Sequence, residues 1–167
     1  MTVMKNLVLE DAQVRQKIRR MAYEIFENNF AEKTIVLAGI DGQGYVLAQL
    51  LEKELVTISP LHIITVRVKL DKQSPQKSEV TLDMKLEDLK KKTIVLIDDV
   101  LNTGRTLAYG MKPFLLIEVK KIEVAVLVNR SHPLFPVQPN YTGYELSTTM
   151  TEHVEVVLGK KLAVYLH

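Results

Sequence analysis

Two adjacent aspartates, Asp98 and Asp99, close an apolar run and are followed at once by Val-Leu-Asn and then Thr103-Gly104-Arg105-Thr106. Carboxylates held side by side repel each other and need partners that take up their charge or their hydrogen-bonding capacity. A sugar cis-diol supplies two hydroxyl donors, and Mg2+ supplies charge. Gly104 permits backbone angles closed to other residues. Successive N–H groups of the Asn102–Thr106 loop can then converge on one concavity at the start of a helix, a setting that suits a phosphate monoester. Phosphate on the loop and hydroxyls on the acids together describe a ribose 5-phosphate site. An isolated Asp-Asp or Thr-Gly pair reads best as a turn with a helix cap. The whole string Val95–Thr106 behind a buried strand reads better as a site. Neither GxxxxGK[ST] nor GxGxxG occurs in the chain.

These residues need a scaffold, and the pattern around them specifies one. Thr34–Ile40 and Thr93–Ile97 are short apolar runs rich in β-branched residues, as expected of strands covered on both faces. Leu61–Val68 and Lys121–Val128 read as two further strands. Residues 12–29 carry Val14, Ile18, Met21, Ala22 and Ile25 at helical spacing, with Asp11 as the expected cap. A helix follows Asp41-Gly42-Gln43-Gly44, and another is expected from the phosphate loop through Leu116. The polar stretch 69–78 reads as a loop and 79–84 as an edge strand. Residues 131–140, with three prolines, read as a loop, and the tail carries short strands near 141–145, 154–158 and 162–166. Strands alternating with helices imply an α/β fold, a mainly parallel sheet flanked by helices. Ligands of such sheets sit at the carboxyl edge of the strands. Both polar loops, 41–44 and 98–106, fall at that edge.

The totals agree with one domain over residues 1–167. Apolar residues make up 47% and charged residues 25%, and the formal charge of +2 is too small to argue for nucleic acid alone. There is no cysteine, so thiolate and disulfide chemistry are excluded. Four widely spaced histidines give no zinc pattern. No apolar run reaches transmembrane length, and the N-terminal stretch MTVMKNLVLEDAQ has acids where a leader needs apolar residues, so a cytoplasmic location is expected.

VLIDDVLNTGRT resembles the signature by which type I phosphoribosyltransferases bind phosphoribosyl pyrophosphate (PRPP). The resemblance implies a phosphoribosyltransferase fold with a small hood, Mg2+ as cofactor, and transfer of the phosphoribosyl group to a nucleobase. It assigns the ribose hydroxyls to Asp98 and Asp99. It assigns the 5′-phosphate to Asn102, Thr103, Gly104, Arg105 and Thr106, with Asn102 standing where other residues are common. Mg2+ is implied through PRPP, with Asp98 and Asp99 as its nearest protein groups. VRQKIRRMAYEIFENN, LAGIDGQGYVLAQLL and AVLVNRSHPLFPVQPNYTGYELSTT are similar to segments of the subfamily that combines pyrimidine-operon regulation with uracil phosphoribosyltransferase activity, which favours uracil. Asp41, Gly42, Gln43 and Gly44 resemble the pyrophosphate loop, with Gln43 where relatives often carry a basic residue. The resemblance places the base against Asn129, Arg130, Tyr141 and the backbone of Thr142, and lets the lysine-bearing 69–78 loop close over the substrate. It also implies a homodimer or higher homo-oligomer.

Two other readings compete. A nucleotide sensor without turnover is motivated by Gln43. An RNA-binding regulator is motivated by the subfamily, with Arg19, Arg20 and His132 retained. Tyr23 and Asn28 stand where a histidine and a basic residue are expected, and Pro133 and Gln138 interrupt the basic pattern, so weak or no specific RNA binding is expected.

Overall fold

The structure is a computed structural model that describes residues 4–167, so Met1–Val3 of the N-terminal stretch considered for a leader lie outside the described residues. The chain begins with β1 (Asn6–Leu9), a strand the sequence pattern does not announce. It has only four residues, two of them exposed ahead of Val8 and the buried Leu9, and it exists by antiparallel pairing with the end of the chain. Helix α1 (Asp11–Asn28) buries the expected stripe of Val14, Ile18, Met21, Ala22 and Ile25. Its cap is Glu10 in a reciprocal capping box with Gln13, not Asp11. Asp11 lies inside the first turn, accepts from Arg15 Nε at 2.9 Å, and reaches out to accept the backbone N–H of Leu162 at 2.8 Å.

Next come β2 (Thr34–Ile40), α2 (Gln43–Ile58), β3 (His62–Lys69), the two-residue edge strand β4 (Thr81–Leu82) and β5 (Thr93–Leu101). Helix α3 (Arg105–Gly110) is shorter than expected. Pro113 lacks an N–H donor, and the chain tightens into a 3-10 turn at Lys112–Leu115 rather than staying α-helical to Leu116. The remaining strands are β6 (Lys121–Asn129), β7 (Tyr141–Glu145), β8 (Val154–Leu158) and β9 (Leu162–Leu166).

Six strands form one sheet in the order β4-β3-β2-β5-β6-β7, parallel throughout except for β4. Residues of β2 and β5 are buried almost without interruption, as strands covered on both faces must be. One face packs against α1 and α2 through Ile35, Leu37, Val95 and Ile97. The other packs against α3 and the turn after it through Val36, Ala38, Ile94, Leu96, Leu107 and Phe114. The three antiparallel strands β1-β9-β8 form the hood, which joins the α1/α2 core through Leu9, Val156, Leu158, Leu162 and Val164.

Chain order reverses between β2 and β5. From β2 the chain moves outward to β3, and from β5 it moves the other way to β6. That crevice at the strands' carboxyl ends is where an open parallel sheet binds ligands.

Candidate functional site

The two glycine-containing loops flank this crevice. Asp41-Gly42 follows β2 and leads into α2, while Asn102–Gly104 follows β5 and leads into α3. Gly42 has φ 99° and ψ −137°, a region open essentially to glycine alone. Gly44, in the first turn of α2, is pressed against the acid pair: a β-carbon there would lie 2.9 Å from the Ile97 carbonyl and 3.0 Å from Asp98 Oδ1. The two loops thus meet through a glycine that no larger residue can replace without moving Asp98.

Asp98 and Asp99 lie within β5 rather than beyond it. Asp98 is 4% exposed, and its Oδ1 accepts the N–H of Asp99 at 2.9 Å. Burial, and then the charge of Asp99, hold its carboxyl well above the usual carboxylate range, while Lys72 pulls the other way. A carboxylate so placed favours any ligand that brings hydroxyl donors or positive charge to it. Asp98, Val100–Leu107 and Lys72 line a cavity of about 230 Å3. Gly104 turns the chain at φ 86°, and the Thr103 hydroxyl accepts the Arg105 N–H at 3.3 Å. All five residues expected to hold a phosphate, Asn102 to Thr106, border the cavity.

The 69–78 segment lies beside it. Lys69 belongs to β3, but Lys72 lines the cavity, and Arg105 Nη2 donates to Gln76 Oε1 at 2.7 Å. The Arg105 side chain therefore reaches out to tether this segment. From the other side, the N–H groups of Leu134 and Phe135 donate to the Thr103 carbonyl at 2.8 and 3.1 Å. A β-carbon on Gly104 would meet Val137 at 3.3 Å. The proline-rich 131–140 segment, read from sequence only as a loop, thus buttresses the 102–106 loop.

Among the described residues no group of three or more His, Cys, Asp or Glu side chains could by itself hold a metal. The acid pair fits a cation shared with a ligand, because Asp98 is buried beside a second carboxylate with only Lys72 to offset it.

Of the four residues expected at the base, the structure brings two to the crevice. Asn129 ends β6, beside β5's carboxyl end, and its Oδ1 accepts the Ser131 N–H at 3.0 Å. Arg130 borders a cleft of about 380 Å3 with Asn102, Thr103, His132, Leu134, Met150 and His153. Its guanidinium is committed to Thr148 Oγ1 at 2.9 Å and the Glu152 carbonyl at 2.6 Å, so it fastens residues 148–152 over the sheet edge. Tyr141 and Thr142 are not brought there. Tyr141 pairs with Ala125, four residues before the carboxyl end of β6. Its ring is 1% exposed, and its hydroxyl donates to Glu123 Oε2 at 2.9 Å. Burial foremost, and then Glu123, push that phenol far above its ordinary value. The Thr142 carbonyl accepts from Arg20 Nη2 at 3.3 Å on α1. The physical reason is register: these residues open β7, and only its far end, Glu145, reaches the edge.

Gln43 also departs from expectation. Its Oε1 accepts the N–H of Leu158 at 3.1 Å, so the side chain is turned into the hood. Asp41 instead faces Arg67 of β3, with Oδ1 3.4 Å from Nε. Arg67, His153 and Met150 are site neighbours that the sequence reading did not single out. Nothing in a one-dimensional pattern shows that the ends of β3 and the tail approach the two loops.

A family model described as phosphoribosyl transferase domain matches residues 8–158. The chain is 30% identical to bifunctional protein PyrR of Fusobacterium nucleatum, over 99% of this chain and all of that protein. It is 34% identical to the bifunctional protein PyrR of Staphylococcus epidermidis, over 92% of each. Among solved structures it resembles a hypoxanthine-guanine phosphoribosyltransferase of Bacillus anthracis, with TM-score 0.73 and 15% identity over 87% of this chain and 85% of that one. The hypoxanthine phosphoribosyltransferase of Trypanosoma cruzi superposes with TM-score 0.73 at 13% identity, over 84% and 81%.

Proposed function

Because the chain belongs to the phosphoribosyltransferase family, we propose that it transfers the 5-phosphoribosyl group of PRPP to uracil, giving a nucleoside monophosphate and pyrophosphate. Membership carries the class of enzyme. The base and the residue roles are our reading. The observation that carries them is the convergence of loops 41–44 and 98–106 on one crevice through the Gly44–Asp98 contact. Uracil is favoured because the relatives matched along nearly the full chain are bifunctional PyrR proteins, the subfamily that the segments quoted above resemble.

In this reading the N–H groups of residues 103–106 hold the 5′-phosphate. Asp98 and Asp99 accept the ribose hydroxyls, which gives the buried carboxylate the donors it lacks. The 41–44 loop receives the pyrophosphate, with Gly42 and Gly44 allowing close approach of the backbone. The base occupies the cleft beside Asn102, Asn129 and the 148–153 segment, and attacks the anomeric carbon through a ring nitrogen as the bond to the pyrophosphate oxygen breaks; the electron pair of that bond leaves with pyrophosphate, and the ring nitrogen gives up its proton to solvent. No protein nucleophile is required. The chain's contribution is positioning and electrostatic stabilisation of the departing anion. The 70–78 segment, already tethered to α3 by Arg105–Gln76, excludes water and brings Lys72 to the site. Mg2+, bound with PRPP near Asp98 and Asp99, supplies charge to the pyrophosphate. A cytoplasmic location and a homodimer belong to the same reading; among the described residues no helix is long and apolar enough to cross a membrane.

One observation favours a second reading, a nucleotide sensor without turnover: the 41–44 loop offers no cation, and Gln43 faces the hood. A single assay separates the two. PRPP consumption is followed with uracil, hypoxanthine, guanine, xanthine and adenine in turn. Turnover with uracil supports the proposal, turnover only with a purine overturns the choice of base, and PRPP binding without turnover with any base favours the sensor.

A further inference from the structure

We propose that Arg67, at the carboxyl end of β3, supplies the cation for the pyrophosphate that the 41–44 loop lacks; the inference rests on the PRPP reading above. Arg67 is in register with Gly39 of β2, two residues ahead of Asp41, and shares its face of the sheet. A β-carbon on Gly39 would lie 2.6 Å from Tyr45 Cα and 2.8 Å from the Gly44 carbonyl. The missing side chain therefore lets the first turn of α2 settle onto the sheet, next to Arg67.

Two contacts hold the guanidinium there without using up its donors, and a third fixes the backbone behind it. It lies 4.2 Å above the ring of Tyr45, its Nε is 3.4 Å from Asp41 Oδ1, and the backbone of Arg67 is clasped by Asp83, whose Oδ1 accepts the Arg67 N–H at 2.9 Å. The Nε atom is buried and has no hydrogen-bond partner. Asp41, 3.4 Å away, answers the charge of this nitrogen without answering its hydrogen bond, so the carboxylate does not saturate the guanidinium. The side chain keeps 39% of its surface open, so the terminal nitrogens are accessible to a ligand. A planar guanidinium also suits adjacent phosphate oxygens better than a lysine does. When the C1–O bond breaks, its electron pair stays on pyrophosphate, and Arg67 is the cation beside the loop that receives it. Asp41 and Tyr45 hold that cation in place while the site is empty.

The test uses Arg67→Gln and Arg67→Lys in the full chain. Calorimetry measures the affinity for inorganic pyrophosphate with Mg2+, and separately for uridine 5′-monophosphate, which has no pyrophosphate. Arg67→Gln should weaken pyrophosphate at least tenfold and leave the monophosphate within twofold, with Arg67→Lys intermediate. Adding Gln43→Arg to Arg67→Gln should restore part of the lost affinity by returning a cation to the loop. Unchanged pyrophosphate affinity in Arg67→Gln, or equal losses for both ligands, would overturn the inference. Failure of the unmodified protein to bind either ligand would instead overturn the PRPP reading beneath it.

Discussion

Asp98→Asn should make the protein more stable and far less active, and both effects follow from the same burial. The Asp98 carboxyl is held above its ordinary value by burial and by Asp99, so the folded state binds its proton more tightly than the unfolded chain does. That advantage is complete at pH below the ordinary carboxylate value and is lost as pH rises through the higher folded value. At pH 8, where the unfolded chain holds this carboxyl ionised, burying it therefore opposes folding, and each tenfold difference in proton affinity is worth about 1.4 kcal/mol. A domain of this size moves roughly 2–4 °C per kcal/mol. Asparagine keeps an oxygen for the Asp99 N–H, now accepted at 2.9 Å, and carries no charge. A Tm gain of several degrees is expected at pH 8, shrinking toward zero near pH 4. Turnover of PRPP should fall about 100-fold or more, the scale on which single preorganised groups act. Calorimetric unfolding at both pH values and steady-state PRPP consumption measure the pair of effects. A variant that is less stable at pH 8, or that keeps near-normal turnover, would refute the reasoning.

Gly44→Ala gains helix propensity of about 1 kcal/mol but forces a methyl to within 3.0 Å of Asp98 Oδ1. Overpacking of that kind costs about 1–3 kcal/mol, so stability should fall by about 0–2 kcal/mol while the KM for PRPP rises; an unchanged KM would show that the two loops are not coupled. Tyr141→Phe should cost about 1–2 kcal/mol by removing the donor to buried Glu123, with the KM for uracil unaltered in a base-titration assay. A raised KM there would return Tyr141 to the base. Gln76→Ala, which frees the Arg105 tether, should raise hydrogen exchange across residues 70–78 without changing exchange in β5. Binding of a pyrimidine-leader RNA should be weak, because Arg20 is engaged by Glu24 and by the Thr142 and Gly143 carbonyls; nanomolar, salt-dependent binding in a filter assay would contradict this.

The parallel sheet and its site edge were legible because buried strands leave continuous apolar runs, and Thr34–Ile40 and Thr93–Ile97 are bounded by the two polar loops. The loop at 98–106 and the cavity it borders were legible because the signal is local: acids, threonines and a glycine at φ 86° within nine residues. β1 was not, because four residues with only Leu9 buried become a strand only when β9 arrives from the other end of the chain. Tyr141 and Thr142 lie away from that edge for a related reason. Tyr141 follows a proline-rich loop, and sequence cannot tell that β7 begins deep against Ala125 and reaches the edge only at Glu145. Gln43 was assigned by its place in the loop, whereas its partner, Leu158, lies 115 residues away. Arg67 escaped notice because its meaning depends on register with Gly39.

The most direct test of a single PRPP site built from both loops is a crystal structure with uridine 5′-monophosphate, pyrophosphate and Mg2+. The 5′-phosphate is expected within hydrogen-bond distance of the backbone of residues 103–106, the ribose hydroxyls on Asp98 and Asp99, and pyrophosphate against residues 41–44. A nucleotide bound elsewhere, or a phosphate on the loop with its ribose turned away from Asp98 and Asp99, would contradict it.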